Sequence, residues 1–337
     1  MKRKIKIGFV ILIFFALVVV ILLSPILKDV IFVLFISFLI SYALKPLYIF
    51  LIKKRLKRKF AAASVIILLS SLLIIVCSIL IPTLINESKN MGNSYKYFES
   101  YINSLSEHLK FLHSNQTGAI FIDRAYEKLN VIIANKFGDF IDSFINLTES
   151  AISLAIAPIV IYYFLSDGKY IENRLLLFIS IRYRYLVKKI LVELDTVLSK
   201  YVVNQLLLCI FVGITTFLIL FFLHVKSPLL LAIINATFDL IPYFGPLFGA
   251  IPAIIIAATQ SPTTALYTAI CLYILQQVEG DILSPKLTSD TVNLHPLSVI
   301  LILIIGGEAG GLLGMIIAVP VGVIVKIIYN DVNYYLF

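Results

Sequence analysis

The chain has 337 residues, of which 60% are hydrophobic and 14% charged. Soluble domains carry roughly 25% charged residues, so this composition, with a mean hydropathy of +1.01, excludes a soluble globular enzyme, a disordered tail and a disulfide-rich secreted module. The net charge of +9 comes from 28 Lys and Arg against 19 Asp and Glu, an excess that in a membrane chain marks basic cytoplasmic loops rather than a nucleic-acid surface.

A helix needs about 20 apolar residues to cross the hydrocarbon core. The first run, residues 8–23, follows Lys2, Arg3, Lys4 and Lys6. It ends in Ser24-Pro25 with no small-x-small cleavage pattern, so it reads as a retained span rather than a signal peptide. Residues 30–52 form the second span, interrupted by Lys45-Pro46, and residues 60–85 the third. The six cations among Lys53, Lys54, Arg55, Lys57, Arg58 and Lys59 anchor the connection between them on the inside. As a surface patch they could also bind anionic lipid.

Hydropathy then collapses until residue 147. Within this stretch Tyr97, Tyr101, Leu105, Leu109 and Leu112 recur at helical spacing, as do Leu129, Ile133, Phe137, Phe140 and Phe144. Two amphipathic external helices are expected there. A fourth span covers residues 150–165. A second polar stretch, 167–200, carries the apolar stripe Val187, Leu191, Leu194, Leu198 and Tyr201 beside Arg182, Arg184, Lys188 and Lys189. That is the pattern of a basic amphipathic helix at the inner leaflet. The fifth span is 206–223. With the N-terminus inside, the inner segments hold 19 Lys and Arg and the outer ones 8.

Beyond this point the apolar segments shorten. Residues 228–241 and 245–258 are each too short to cross comfortably, and Pro242-Tyr243-Phe244-Gly245-Pro246 lies between them. Two prolines and a glycine break a helix, and the 31 residues from 228 to 258 exceed one span. A hairpin of two half-helices is therefore expected. Residues 263–278 cross. A short segment, 294–305, leads through Gly306-Gly307-Glu308-Ala309-Gly310-Gly311 into residues 312–329. Broken segments persist in lipid only where protein or a watery cavity satisfies the backbone, and such breaks line transporter sites. The expected fold is an all-α polytopic transmembrane protein of about 7–8 spans, counting broken or re-entrant hairpins. It divides into a three-span region (1–85), an extracytoplasmic amphipathic segment (86–149), a fourth span with a cytoplasmic linker (150–200) and a transport core (201–337).

The C-terminal half resembles the AI-2E transporter family, named after export of autoinducer-2. Pro242-Tyr243-Phe244-Gly245-Pro246 with Gly249 and Pro252-Ala253 is similar to the family's central hairpin. Gln277-x-Glu279, Pro285-Lys286, Leu294-His295-Pro296 and the run from Gly306-Gly307 through Gly310 and Gly314 to Ala318-x-Pro320 follow in family order. Tyr201 and Gln205 resemble the family sequence before the fifth span, with Asn204 where the family has glycine. Asp281 stands where the family often carries Asn. The resemblance implies a multi-pass inner-membrane transporter of bacteria or archaea, exporting autoinducer-2 or exchanging sodium or lithium for protons.

Charges inside a bilayer are costly, and so are usually functional or paired. Asp239, inside the expected hairpin, suits sodium or a proton, and Asn235, one turn earlier, adds an amide oxygen. Asp239 could instead only cap the broken helix end. Glu279 and Asp281, behind Gln276 and Gln277, sit where the 263–278 span exits, and Glu308 lies between glycine pairs. With Pro242, Tyr243, Gly245 and Pro246 these make up the expected pathway. His295 fits a helix-start residue bonded to backbone. Gly306, Gly310, Gly314, Ala318 and Gly322 recur every fourth residue. From Gly310 on they would form one smooth face, packing on the Pro242 hairpin or on another copy of the chain in a homo-oligomer.

Cys77, Cys209 and Cys271 each lie in an apolar run, and the four histidines form no zinc spacing. No metal or other cofactor is expected. Without a Walker A sequence, ATP is not the direct energy source. The expected partners are therefore the bilayer and a small solute or Na+ and H+. The competing reading is a non-transporting envelope scaffold or sensor, with a role in sporulation among its possibilities. Its docking surface would be the 62 residues of 86–147.

Overall fold

A computed structural model describes residues 25–79, 82, 151–288 and 294–336. The first span at 8–23 and the segment 86–147 lie outside the described residues. Every element among the described residues is helical, because a chain in lipid must satisfy its own backbone groups. In chain order these are α1 (Pro25–Lys53), α2 (Arg58–Ile79), α3 (Ala151–Leu177), α4 (Ile181–Phe222), α5 (Pro228–Phe238), α6 (Gly245–Gln260) and α7 (Pro262–Val278). A single π-helical turn (Glu279–Leu283) then leads into α8 (Ser284–Thr288), and α9 is Pro296–Leu336. Helices α1, α2 and α4 are each long and apolar enough to cross a bilayer, as is α9 counted across the reversal described below. The chain is an all-α polytopic membrane protein.

Two expectations change. Lys45-Pro46 does not interrupt the second span, since α1 runs unbroken through Pro46. A proline removes one donor, whereas a break in hydrocarbon would expose several backbone groups, so the helix continues. The basic amphipathic stretch and the fifth span are not separate elements either. Both belong to α4, a single helix of 42 residues, about 63 Å long at 1.5 Å per residue. It exceeds the roughly 30 Å of hydrocarbon, so its N-terminal half projects beyond the membrane.

Contacts divide the chain into two compact units. In the first, α1, α3 and the start of α2 share a core of Tyr48, Ala157, Ile161 and Leu165. Ala61 and Ala62 are fully buried against it, letting α2 approach closely.

The second unit is built on α4. Helix α5 has 11 residues and α6 has 16, about 16 and 24 Å, so both fall short of a full crossing. They fold back on each other as the expected hairpin. Both of its ends lie beside the C-terminal end of α4, where Gln260 Nε2 donates to the His224 carbonyl at 3.2 Å. Its tip reaches down α4 to Gln205, whose Nε2 donates to the Asp239 carbonyl at 2.7 Å. Helix α7 starts at Ser261, whose hydroxyl caps the Thr264 N–H at 3.0 Å. The core between α4, α5, α6 and α7 contains Val212, Leu220, Leu231, Ala253, Leu272 and Leu275.

Helix α9 is itself a hairpin. Gly306 and Gly314 would lie about 12 Å apart along a straight helix. Yet a Cβ on Gly306 would stand 2.6 Å from the Gly314 carbonyl oxygen and 2.7 Å from the Ala318 Cβ. The reversal occurs at Gly310 and Gly311, which leave helical geometry, Gly311 with φ of +59°. Arms 296–309 and 312–336 then run against each other, and a Cβ on Gly322 would meet Ile302 Cδ1 at 2.6 Å. Leu312, beside this turn, packs on Leu230, Ile234 and Phe238 of α5. At the other end, Lys189 of α4 pairs with Asp331 at 2.8 Å. The two hairpins thus enter from opposite ends of α4. Tyr201, Ile241, Val299, Leu303, Ala318 and Val319 form the core where they overlap.

Candidate functional site

The site begins at the break between α5 and α6. Phe238 ends α5, and the Asp239 N–H still donates to the Asn235 carbonyl at 3.0 Å. The Ile241 N–H reaches the Phe238 carbonyl at 2.8 Å, the Phe244 N–H the Pro242 carbonyl at 2.8 Å, and the Gly245 N–H the Ile241 carbonyl at 2.8 Å. The break therefore closes its own backbone bonds, as a break at membrane depth must. Pro242 has no N–H to leave unpaired. Tyr243 adopts φ of +66°. Gly245 is required by space, since a Cβ there would stand 2.7 Å from the Phe238 carbonyl carbon and 2.9 Å from the Asp239 Cα.

Two polar layers lie against this hairpin. In the layer nearer the ends of α5 and α6, Asn235 is fully buried and donates through Nδ2 to Thr216 Oγ1 of α4 at 2.8 Å. Its Oδ1 has no hydrogen-bond partner. It lies against Gly249 of α6, where a Cβ would stand 2.9 Å from the Asn235 Cα. Thr268 of α7 is also fully buried, its hydroxyl without a hydrogen-bond partner.

The layer at the tip holds the carboxylates. Asp239 is 4% exposed, and its Oδ2 is buried with no hydrogen-bond partner. The Cys209 thiol of α4 lies close to its side chain, and the charge of Glu279 acts on it. Glu279 opens the π-helical turn that follows α7, a geometry frequent at functional sites. One turn earlier, Gln276 has both its amide oxygen and its amide nitrogen buried without hydrogen-bond partners. Two carboxylates and a thiol thus lie close together, with an unpartnered amide one turn before Glu279, where an unpaired polar group costs about 1–3 kcal/mol. Such an oxygen-rich, desolvated set suits an alkali cation, a proton or a hydroxyl-bearing solute. On the outer side of Cys209, a groove of about 480 Å³ runs between α4 and α5, floored by Gly213, Ala232 and Ala236.

Of the residues expected from sequence, Asn235, Asp239, Gly245 and Glu279 come together around this hairpin. Pro242 and Pro246 shape its turn and are half-buried, while Tyr243 is 59% exposed. Gln277 points away from the carboxylates, donating to the Tyr273 hydroxyl at 2.7 Å. Asp281 and Glu308 are exposed. Gly314, Ala318 and Gly322 meet Gly306 and Ile302 of their own hairpin, Ala318 also shares a core with Ile241 of the Pro242 hairpin, and Gly310 sits in the turn with open space around it. The His295 Nδ1 accepts from the Leu297 N–H at 3.2 Å, at the start of α9.

Sequence reasoning missed Cys209 and Thr216 as site residues. The signal was their spacing: Gln205, Cys209, Val212 and Thr216 lie on one face of α4 at helical intervals. Asn204, where the resembled family has glycine, donates to the Leu287 carbonyl and so ties α4 to α8.

Comparison with known proteins places the chain in a family. The family model described as AI-2E family transporter matches residues 9–333. YrrI of Bacillus subtilis, whose name proposes a transport protein, is 28% identical over 304 residues, 90% of this chain and 86% of YrrI. YueF of the same organism, named likewise, is 37% identical over 186 residues, 55% of this chain and 50% of YueF. PerM of Escherichia coli, whose name proposes a permease, is 26% identical over 190 residues, 56% of this chain and 54% of PerM. The match thus spans about half the length of YueF and of PerM, and most of YrrI. With the family model covering nearly its whole length, the chain belongs to the AI-2E transporter family.

Proposed function

We propose that the chain is a secondary transporter of the cytoplasmic membrane with Asp239 at the centre of its pathway. It either exports a small autoinducer-2-like solute or exchanges sodium or lithium for protons. The observation that carries this reading is the Asp239 carboxylate, 4% exposed with Oδ2 unpartnered, at the tip of a broken hairpin. A carboxylate so placed is costly unless something is bound there for part of a cycle. Glu279 lies close enough for its charge to act on Asp239, and Gln205 holds the tip against α4. The overlap of two hairpins entering from opposite ends gives such a site a route to either side. The charge distribution supports a cytoplasmic N-terminus, and export is the direction proposed for a solute. The exposed apolar flanks of the spans support a homo-oligomer.

The test is flux in sealed proteoliposomes with a trapped pH-sensitive dye, challenged with sodium or lithium salts. Exchange predicts a cation-dependent pH change in the wild type that Asp239→Asn abolishes. A pH change that survives Asp239→Asn would remove Asp239 from the coupling step. No response from the wild type would remove cation exchange, leaving uptake of autoinducer-2 into inverted vesicles as the flux to measure.

A further inference from the structure

The turn between α1 and α2 carries a charge density that the transport site does not use. Lys53, Lys54, Arg55, Lys57, Arg58 and Lys59 place six cations in seven residues, with Leu56 between them. All six are exposed, and none of them forms an ion pair among the described residues. The charges of Arg58 and of Asp167 on α3 both act on the Tyr48 hydroxyl. Asp167 in turn accepts from the Ser166 hydroxyl at 2.8 Å.

The turn is firmly built. The Leu56 N–H donates to the Leu51 carbonyl at 3.3 Å, the Arg55 N–H to the Ile52 carbonyl at 2.9 Å, and the Ala61 N–H to the Lys57 carbonyl at 2.9 Å. Arg55 takes φ of +67° to make the reversal. Six like charges therefore project from seven consecutive residues of a fixed turn, and in physiological salt charges act on each other over about 8–10 Å. Both flanking helices are long and apolar enough to cross a bilayer, which would put the turn at the hydrocarbon edge, at the depth of lipid phosphates. Phe50, Leu56 and Phe60 are exposed among the cations, the mixture of apolar and basic side chains that seats in a membrane interface.

We propose that this turn is an anionic-phospholipid site, binding the phosphates of the leaflet in which it sits. Clusters of four to eight cations beside a span have the charge to do so. This inference is independent of the transport reading.

Full-length protein, purified in mild detergent and stripped of lipid, is titrated with phosphatidylglycerol, phosphatidylcholine or soluble glycerol phosphate, and bound lipid is counted by native mass spectrometry. Wild-type protein should retain phosphatidylglycerol selectively. Lys57→Gln with Lys59→Gln leaves four cations to hold topology, and should weaken retention about 25-fold at roughly fivefold per charge. The control Arg182→Gln with Arg184→Gln should leave it unchanged. Raising salt until the Debye length falls from about 10 Å to 3 Å should release the lipid from wild-type protein without any substitution. The proposal is overturned if phosphatidylcholine is retained equally, if retention ignores both salt and the Lys57/Lys59 substitutions, or if glycerol phosphate binds as well as the lipid does.

Discussion

Gly249 has no room for a side chain, because Asn235 fills the space a Cβ would take. Gly249→Ala should force the α5–α6 hairpin open and lower stability by about 1–3 kcal/mol, the usual cost of overpacking. Thr216→Val keeps the shape but strands the Asn235 amide donor, and should also cost about 1–3 kcal/mol. Thermal unfolding in detergent checks both. An unchanged midpoint in either would mean the Asn235 layer does not hold the hairpin. Asp239 and Asn235 were legible in the sequence because an acid and an amide are anomalous in an apolar run. Cys209 and Thr216 were not, because small, weakly polar residues are common in spans and only their shared face on α4 distinguishes them. Gln276 and Gln277 are adjacent in sequence, but 100° of helical rotation buries the amide of one and exposes the other.

At the scale of elements, the glycines around 306–311 announced a break, and the prolines and glycine at 242–246 announced a hairpin. The partner of the small-residue face was not legible, since such a face fixes how closely a neighbour can approach but not which neighbour it is. The structure supplies the other arm of α9. Cysteines at positions 302 and 322, in a background with Cys77, Cys209 and Cys271 replaced by serine, should therefore form an intramolecular disulfide on mild oxidation. The would-be Cβ of Gly322 lies 3.7 Å from both Ile302 Cγ1 and Cγ2, within reach of disulfide geometry. A straight α9 would place these positions about 30 Å apart, and no cross-link would form. Pro46 gives the opposite lesson. It read as an interruption, yet hydrocarbon leaves the backbone no alternative to continuing as a helix.

For the whole molecule, sequence left open the side on which the C-terminus lies, because short apolar segments can cross or re-enter. The Lys189–Asp331 pair brings the end of α9 to the projecting half of α4. Cysteines replacing Tyr185 and Asn333 should therefore react with a membrane-impermeant thiol reagent from the same side, the cytoplasmic one if the basic loops are inside. Labelling from opposite sides would contradict the fold. The central claim is that Asp239, buried between α4, α5 and the turn after α7, lies on a path that opens to water. The most direct measurement is solvent access at that position. Asp239→Cys, in the background without Cys77, Cys209 and Cys271, is exposed in native membranes to a charged, membrane-impermeant thiol reagent. Reaction is expected from at least one side, at a rate that changes with the ion or solute gradient. Complete protection under every gradient, with full labelling after denaturation, would make Asp239 a sealed structural residue and contradict the account.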